Sequence, residues 1–165
     1  MLEIFDRLDP IDFRQLMDVY EETNQLSGAR DYPQEIVGLQ VLFAEQDFYQ
    51  YLELFFKELG SLCAVWRVEE RYTAALRLER HLDGVLITAL EVAPKARRKG
   101  YGAKLIEAVK QYAQKQSITP IYSHVSKDNT ASLATHKKCG FAILKDGAVF
   151  LDGTTHRDHY TLIWK

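Results

Sequence analysis

The sequence predicts one mixed α/β domain, and three observations predict it. Helical spacing dominates the chain up to Gly60, three strand-like runs follow one another after it, and the order then becomes helix, strand, helix, strand, strand. A chain of 165 residues is the usual size of a single domain and long enough for one sizeable core.

Taken in order, residues 2–8 (LEIFDRL) alternate as a first strand that Asp9-Pro10 ends. Phe13, Leu16, Met17 and Tyr20 recur at three- and four-residue spacing, which predicts a helix over Ile11–Thr23. The segment from Gly28 to Pro33 interrupts the pattern, and helical spacing resumes over Gln34–Leu59, in one piece or two. LCAVWRV, TAALRLER and VLITALEV read as strands, with Asp83-Gly84 as the central pair of a tight hairpin turn. After Gly102, Leu105, Ile106, Val109, Tyr112 and Ala113 form one apolar stripe opposite a lysine-rich face, the mark of an amphipathic helix. ITPIYSHV is the next strand, and TASLATHKKC is a short helix with Gly140 at its left-handed C-terminal cap. FAILKD and HYTLIWK complete the strands.

Composition narrows the class. A net charge of −2 gives no basic footprint for nucleic acid or an anionic membrane surface. No apolar run approaches the roughly 20 residues of a membrane span. The N-terminal MLEIFDRLDP has no apolar core of a signal peptide, so a cytoplasmic protein is expected. Cys63 and Cys139 match no metal or redox spacing and are expected as buried thiols. No metal is expected.

The chemistry concentrates in Leu90-Glu91-Val92-Ala93-Pro94-Lys95-Ala96-Arg97-Arg98-Lys99-Gly100-Tyr101-Gly102-Ala103. A strand enters a basic, glycine-containing turn that opens directly into a helix. The first N–H groups of a helix lack internal partners and carry partial positive charge, so a pyrophosphate fits there. Gly100 and Gly102 let the backbone approach phosphate oxygens, and Arg97, Arg98 and Lys99 add mobile positive charge. A P-loop is excluded because G-x-x-x-x-G-K-[ST] is absent. A dinucleotide fingerprint is excluded because Leu105 stands where its third glycine belongs.

These residues resemble the acetyl-CoA signature of the GNAT acetyltransferases, L-x-V-x-P-x-x-R-x-x-G-x-G, met here by Leu90, Val92, Pro94, Arg97, Gly100 and Gly102. A second family motif, V-x-x-x-N-x-x-A-x-x-x-Y-x-x-x-G-F, is met at Val125, Asn129, Gly140 and Phe141, with Ser132 and His136 replacing its alanine and tyrosine. The resemblance covers residues 62–165 in element order and the N-terminal helices more loosely. It implies a twisted, mostly antiparallel sheet of about six to seven strands flanked by about four helices. The strands of Leu90 and His124 splay apart in it, and the pantetheine arm of acetyl-CoA fills the gap. It further implies direct transfer of acetyl to an amine, with the Val92 amide stabilising the oxyanion and Asn129, Ser132 and His136 also on the cofactor.

Roles in catalysis are read from the same resemblance. An alkyl ammonium of pKa about 10 must lose a proton before it attacks. Some family members carry a glutamate six residues before the signature valine, where Leu86 stands here. Others carry it just before the valine of the next strand, where His124 stands. His124 is therefore the expected proton acceptor, with Glu79 and Glu69 as lesser candidates. His136 occupies the place of the tyrosine that protonates the departing thiolate. Glu91 lies in the cofactor-lining stretch, but its side chain alternates away and is expected to be solvated or structural. Tyr49, Tyr51, Phe55 and Phe56 are read as core packing rather than an acceptor pocket. His156, Arg157 and His159 either border the acceptor site or lie on a solvated loop. The expected partners are acetyl-CoA and a small-molecule or protein amine, with a homodimer left open. The alternative function is a non-catalytic acyl-CoA-binding module on the same fold.

Overall fold

The computed structural model describes residues 1–150 and 152–165. Its strands are β1 Leu2–Phe5, β2 Leu62–Val68, β3 Arg71–His81, β4 Gly84–Val92, β5 Ile121–Ser126, β6 Ala142–Val149 and β7 Thr155–Trp164. Its helices are α1 Phe13–Val19, α2 Glu21–Asp31, α3 Val37–Phe55, α4 Tyr101–Lys115 and α5 Thr130–Lys138, one more than the sequence implied. The strands form one sheet in the order β1-β2-β3-β4-β5-β7-β6. Only β4 and β5 run parallel, because α4 carries the chain back across the sheet between them.

Each face of the sheet has its own core. The apolar stripe of α4 (Leu105, Ile106, Val109 and Ala113, all 0% exposed) packs on Leu76, Leu78, Val85, Ile87 and Ile121. Full burial of the leucine, isoleucine and valine side chains contributes roughly 1.5–3 kcal/mol each. Leu16, Met17 and Tyr20, with Leu52 and Phe55 of α3, cover Cys63, Val65 and Ala75 on the opposite face.

Three local expectations are corrected. The first helix breaks at Tyr20, whose buried hydroxyl leaves the helix line to donate to Ala89 O at 2.8 Å, and α2 then starts afresh. Gly28 lies inside α2 rather than ending it. A Cβ there would stand 2.4 Å from Gln40 O, so glycine is needed for the close approach of α2 to α3. The β3–β4 turn is centred on Leu82-Asp83, since His81 pairs with Gly84. Gly84 serves a different need, because a Cβ would meet Pro120 O at 1.9 Å.

Two features of β4 create the site. Thr88 pairs with Arg77 and Glu91 with Ala75, so Ala89 and Leu90 together oppose Leu76 in a bulge, with Ala89 at φ 48°. The bulge reverses the alternation. Val85 and Ile87 face α4 before it, and Leu90 and Val92 do so after it. In addition, β4 and β5 pair only through Val85↔Ile121, Leu86↔Tyr122 and Ile87↔Ser123. From Thr88 and His124 onward the two strands diverge, leaving a wedge whose apex lies at Ile87 and Ser123.

Candidate cofactor cleft and acceptor face

The wedge presents backbone groups to a ligand. Ala93 N–H donates to Thr73 O at 3.0 Å, which makes that pair the hydrogen-bonded kind. Val92, opposite Ala74, then directs its N–H and C=O away from β3 and into the wedge. Arg97 Nε reaches Val92 O at 3.3 Å, leaving the Val92 N–H for a ligand.

The wedge opens onto the start of α4. Gly100, at φ 76°, caps the helix without a side-chain bond, and the first turn holds no acidic residue. The first helical bond is Lys104 N–H to Gly100 O, so the N–H groups of Tyr101, Gly102 and Ala103 have no intrahelical acceptor. A cleft of about 600 Å³ runs from Leu90 and Val92 past Gly100 and Gly102 to Asn129 and Ser132 of α5. Every residue expected on the cofactor lines it except Lys99 and His136, and Lys99 sits in the adjoining turn, exposed. The unmet N–H groups at the start of α4 and the basic residues beside them suit a phosphate-bearing ligand such as CoA. Arg97 is corrected from mobile to fixed. It forms a bidentate pair with Glu22 of α2 at 2.9 and 2.6 Å, so Arg98 and Lys99 remain as the mobile cations.

On the α5 wall, Asn129 accepts from Ser132 N–H at 3.0 Å and caps the helix. His136 lies beneath the wall at 1% exposure, edge-on to Phe141. Its Nδ1 stands 2.9 Å from Ser132 O, so Nδ1 carries the proton, and Nε2 is buried without a partner. Burial holds this imidazole below its ordinary pKa. It is a neutral acceptor, the wrong form to protonate a thiolate.

The other face of the apex carries Thr88 and His124, the first residues past the last β4–β5 pair. His124 Nε2 lies 3.1 Å from Val149 O and therefore donates to it. Its Nδ1 lies 3.2 Å from Thr161 Oγ1, whose single hydroxyl proton goes to Gly147 O at 2.7 Å or to this nitrogen. Nε2 thus ties β5 to β6, Nδ1 faces Thr161 of β7, and desolvation pushes the imidazole down to about 4. The free proton acceptor expected at this position is absent from this geometry. The neighbouring carboxylate is Glu79 of β3, which accepts from Thr88 Oγ1 at 2.9 Å.

The remaining expectations divide. Glu91 turns to α2, as alternation requires, and accepts from Thr23 Oγ1 at 2.5 Å, with burial raising its pKa. Glu69 is in the β2–β3 turn, exposed. Of the aromatic group, Tyr51 and Phe55 join Phe48 in surrounding the Arg77 guanidinium at 4.7, 5.8 and 5.4 Å, while Tyr49 packs on Phe13. The sequence reading missed Arg77, which composition does not single out, since the same strand also carries Arg71, Glu79 and Arg80. His156 and His159 meet Phe150 edge to face, and the Phe150 ring is 4.9 Å from that of His124, so they lie on the same side of the apex as Thr88 and His124. Cys63 and Cys139 are free, and burial pushes their thiols up to about 12 and about 11, so neither is a nucleophile near neutral pH.

Acid stability tests the His124 environment. The unfolded imidazole takes a proton near 6.5, whereas the folded one resists until about 4. Between these values the unfolded state binds more protons, so stability falls as pH is lowered from 6.5 toward 4. His124→Gln retains a donor for Val149 O and removes the titration. Its Tm should fall less steeply than that of the wild type over this window; parallel curves would show that His124 titrates normally.

Among solved structures, the PaiA N-acetyltransferase from Thermoplasma acidophilum in complex with coenzyme A is similar with a TM-score of 0.66 at 16% identity, covering 100% of this chain and 99% of that one. The ribosomal-protein-S18-alanine N-acetyltransferase from Escherichia coli has a TM-score of 0.63 at 17% identity, covering 99% and 92%. Aminoglycoside 6'-acetyltransferase type Ii has a TM-score of 0.65 at 14% identity, covering 99% and 96%. At these identities the likeness is one of fold. No curated protein sequence matches the chain. The family model of the acetyltransferase (GNAT) family matches residues 15–141, a span that contains the wedge, the start of α4 and the α5 wall, and the chain belongs to that family.

Proposed function

We infer that the protein transfers the acetyl group of acetyl-CoA directly to an amine that arrives on the α3 face of the sheet. The observation that carries this reading is the wedge itself. It begins at the unmet N–H groups of α4, passes the free Val92 N–H, and ends at an apex with polar side chains on the opposite face. Tyr101, Gly102 and Ala103 hold the pyrophosphate in this reading, helped by Arg98 and Lys99. Val92 N–H donates to the thioester oxygen as negative charge develops there. The amine nitrogen bonds to the acetyl carbon as the carbon–sulfur bond breaks. Glu79, hydrogen-bonded to Thr88 beside the apex, receives the proton that turns the arriving ammonium into a free amine, and the second N–H proton, lost as the amide forms, passes through solvent to the departing thiolate. His124 holds the β5–β7 wall, and His136 offers Nε2 only as an acceptor. Neither cysteine forms an intermediate.

The test is thiol release. Acetyl-CoA with a panel of monoamines, polyamines and peptides bearing free N-termini should liberate CoA with at least one acceptor, and mass spectrometry should find that acceptor heavier by one acetyl group. Tight CoA binding without release across the panel would make the chain a binding module instead.

A further inference from the structure

The end of the β6–β7 hairpin carries a ligand set that the acetyl-transfer reading does not use. In a regular strand, His156 and Asp158 would share one face and His159 would take the other. Here His156 pairs with Ala148 and Tyr160 with Asp146, so three residues of β7, Arg157 to His159, stand against Gly147 alone. That bulge breaks the alternation and brings the side chains of His156, Asp158 and His159 together. It is held in place by the residue that follows β5: Lys127 Nζ donates to Arg157 O and Lys127 N–H to Asp158 O, both at 2.8 Å.

We propose that His156, Asp158 and His159 form a binding site for one divalent transition-metal ion of the zinc class. Asp158 Oδ1 lies 2.9 Å from His159 Nδ1 and 3.7 Å from His156 Nδ1, and one donor atom from each residue lies within 4.8 Å of the others. Zinc bonds of about 2.0–2.1 Å in tetrahedral geometry separate donor atoms by about 3.4 Å, so the two Asp158 pairs need shifts of about 0.5 Å or less and the histidine pair at most about 1.4 Å. Two imidazoles and one carboxylate favour zinc, nickel or copper over magnesium or calcium, which prefer all-oxygen sets. The three ligands leave a coordination position for water. The rings of both histidines pack on Phe150, which packs on His124, so the ion fixes the hairpin end beside the apex.

Untagged protein stripped with a chelator and titrated calorimetrically with ZnCl2 should bind one ion per chain with a Kd below about 100 µM. CoCl2 should produce visible d–d bands that ZnCl2 abolishes and MgCl2 does not. His156→Gln and His159→Gln should each weaken zinc binding at least tenfold and remove the cobalt bands, while far-UV circular dichroism stays unchanged at these partly exposed positions. Absence of stoichiometric zinc heat overturns the proposal. So does unchanged binding in the His156→Gln/His159→Gln double variant, which would place the ion elsewhere.

Discussion

Gly102→Val is expected to weaken CoA binding at least about 100-fold, a loss of roughly 2.7 kcal/mol, in a protein that still folds. Gly102 is the second residue of α4, and its N–H is one of the three without an intrahelical acceptor. A Cβ at this position would stand 3.3 Å from Val92 Cγ2. Alanine therefore demands a shift of only a few tenths of an ångström, whereas the two further methyls of valine must displace Val92 or enter the space of the ligand. Val92 in turn lines the cleft and presents the free N–H. The loss should be graded, small for Gly102→Ala and large for Gly102→Val. Calorimetry with CoA reads both, and equal affinity in wild type and a folded Gly102→Val would remove the pyrophosphate from this turn.

The candidate cofactor cleft was legible in the sequence because the residues that form it are local. Leu90 to Ala103 lie in one continuous stretch, and a strand, a basic turn and a helix start need only their own residues to make an anion site. The stripe on α4 was legible for the same reason. What the sequence hid depends on contacts between distant segments. Ala89 has no compositional mark of a positive φ, yet its bulge decides which β4 residues face the cofactor. Gly28 looked like a helix break because the backbone of Gln40, which requires it, lies on another helix. His124 looked free because Val149, which accepts from its Nε2, and Thr161, which faces its Nδ1, arrive from β6 and β7. The strand read from the sequence, HYTLIWK, begins at His159 and so gave no reason to group that residue with His156 and Asp158. Only the extra residues opposite Gly147 do that.

Glu79→Gln should lower kcat/KM for an alkyl amine by about 10²-fold, the lower end of the range for a lost general base, and leave CoA affinity unchanged. The separation of effects follows from geometry. Glu79 is on β3 and faces away from α4, whereas every donor assigned to the pyrophosphate is on the far side of the sheet. Thr88 Oγ1–H donates to Glu79 Oε1 at 2.9 Å, and glutamine keeps a carbonyl oxygen for that bond, so the fold and the apex should survive. What glutamine cannot do is accept a proton. An alkyl amine arrives protonated and must surrender that proton, while a weakly basic aryl amine arrives neutral and needs less help. The Glu79→Gln defect should therefore be several-fold smaller with an aryl amine than with an alkyl amine of similar bulk. His124→Gln provides the contrast, since the Nε2 of His124 donates to Val149 O and its Nδ1 faces Thr161, and its kcat should change much less than that of Glu79→Gln at pH 7.5. A silent Glu79→Gln beside an inactive but stable His124→Gln would reverse the assignment and return the proton to the histidine.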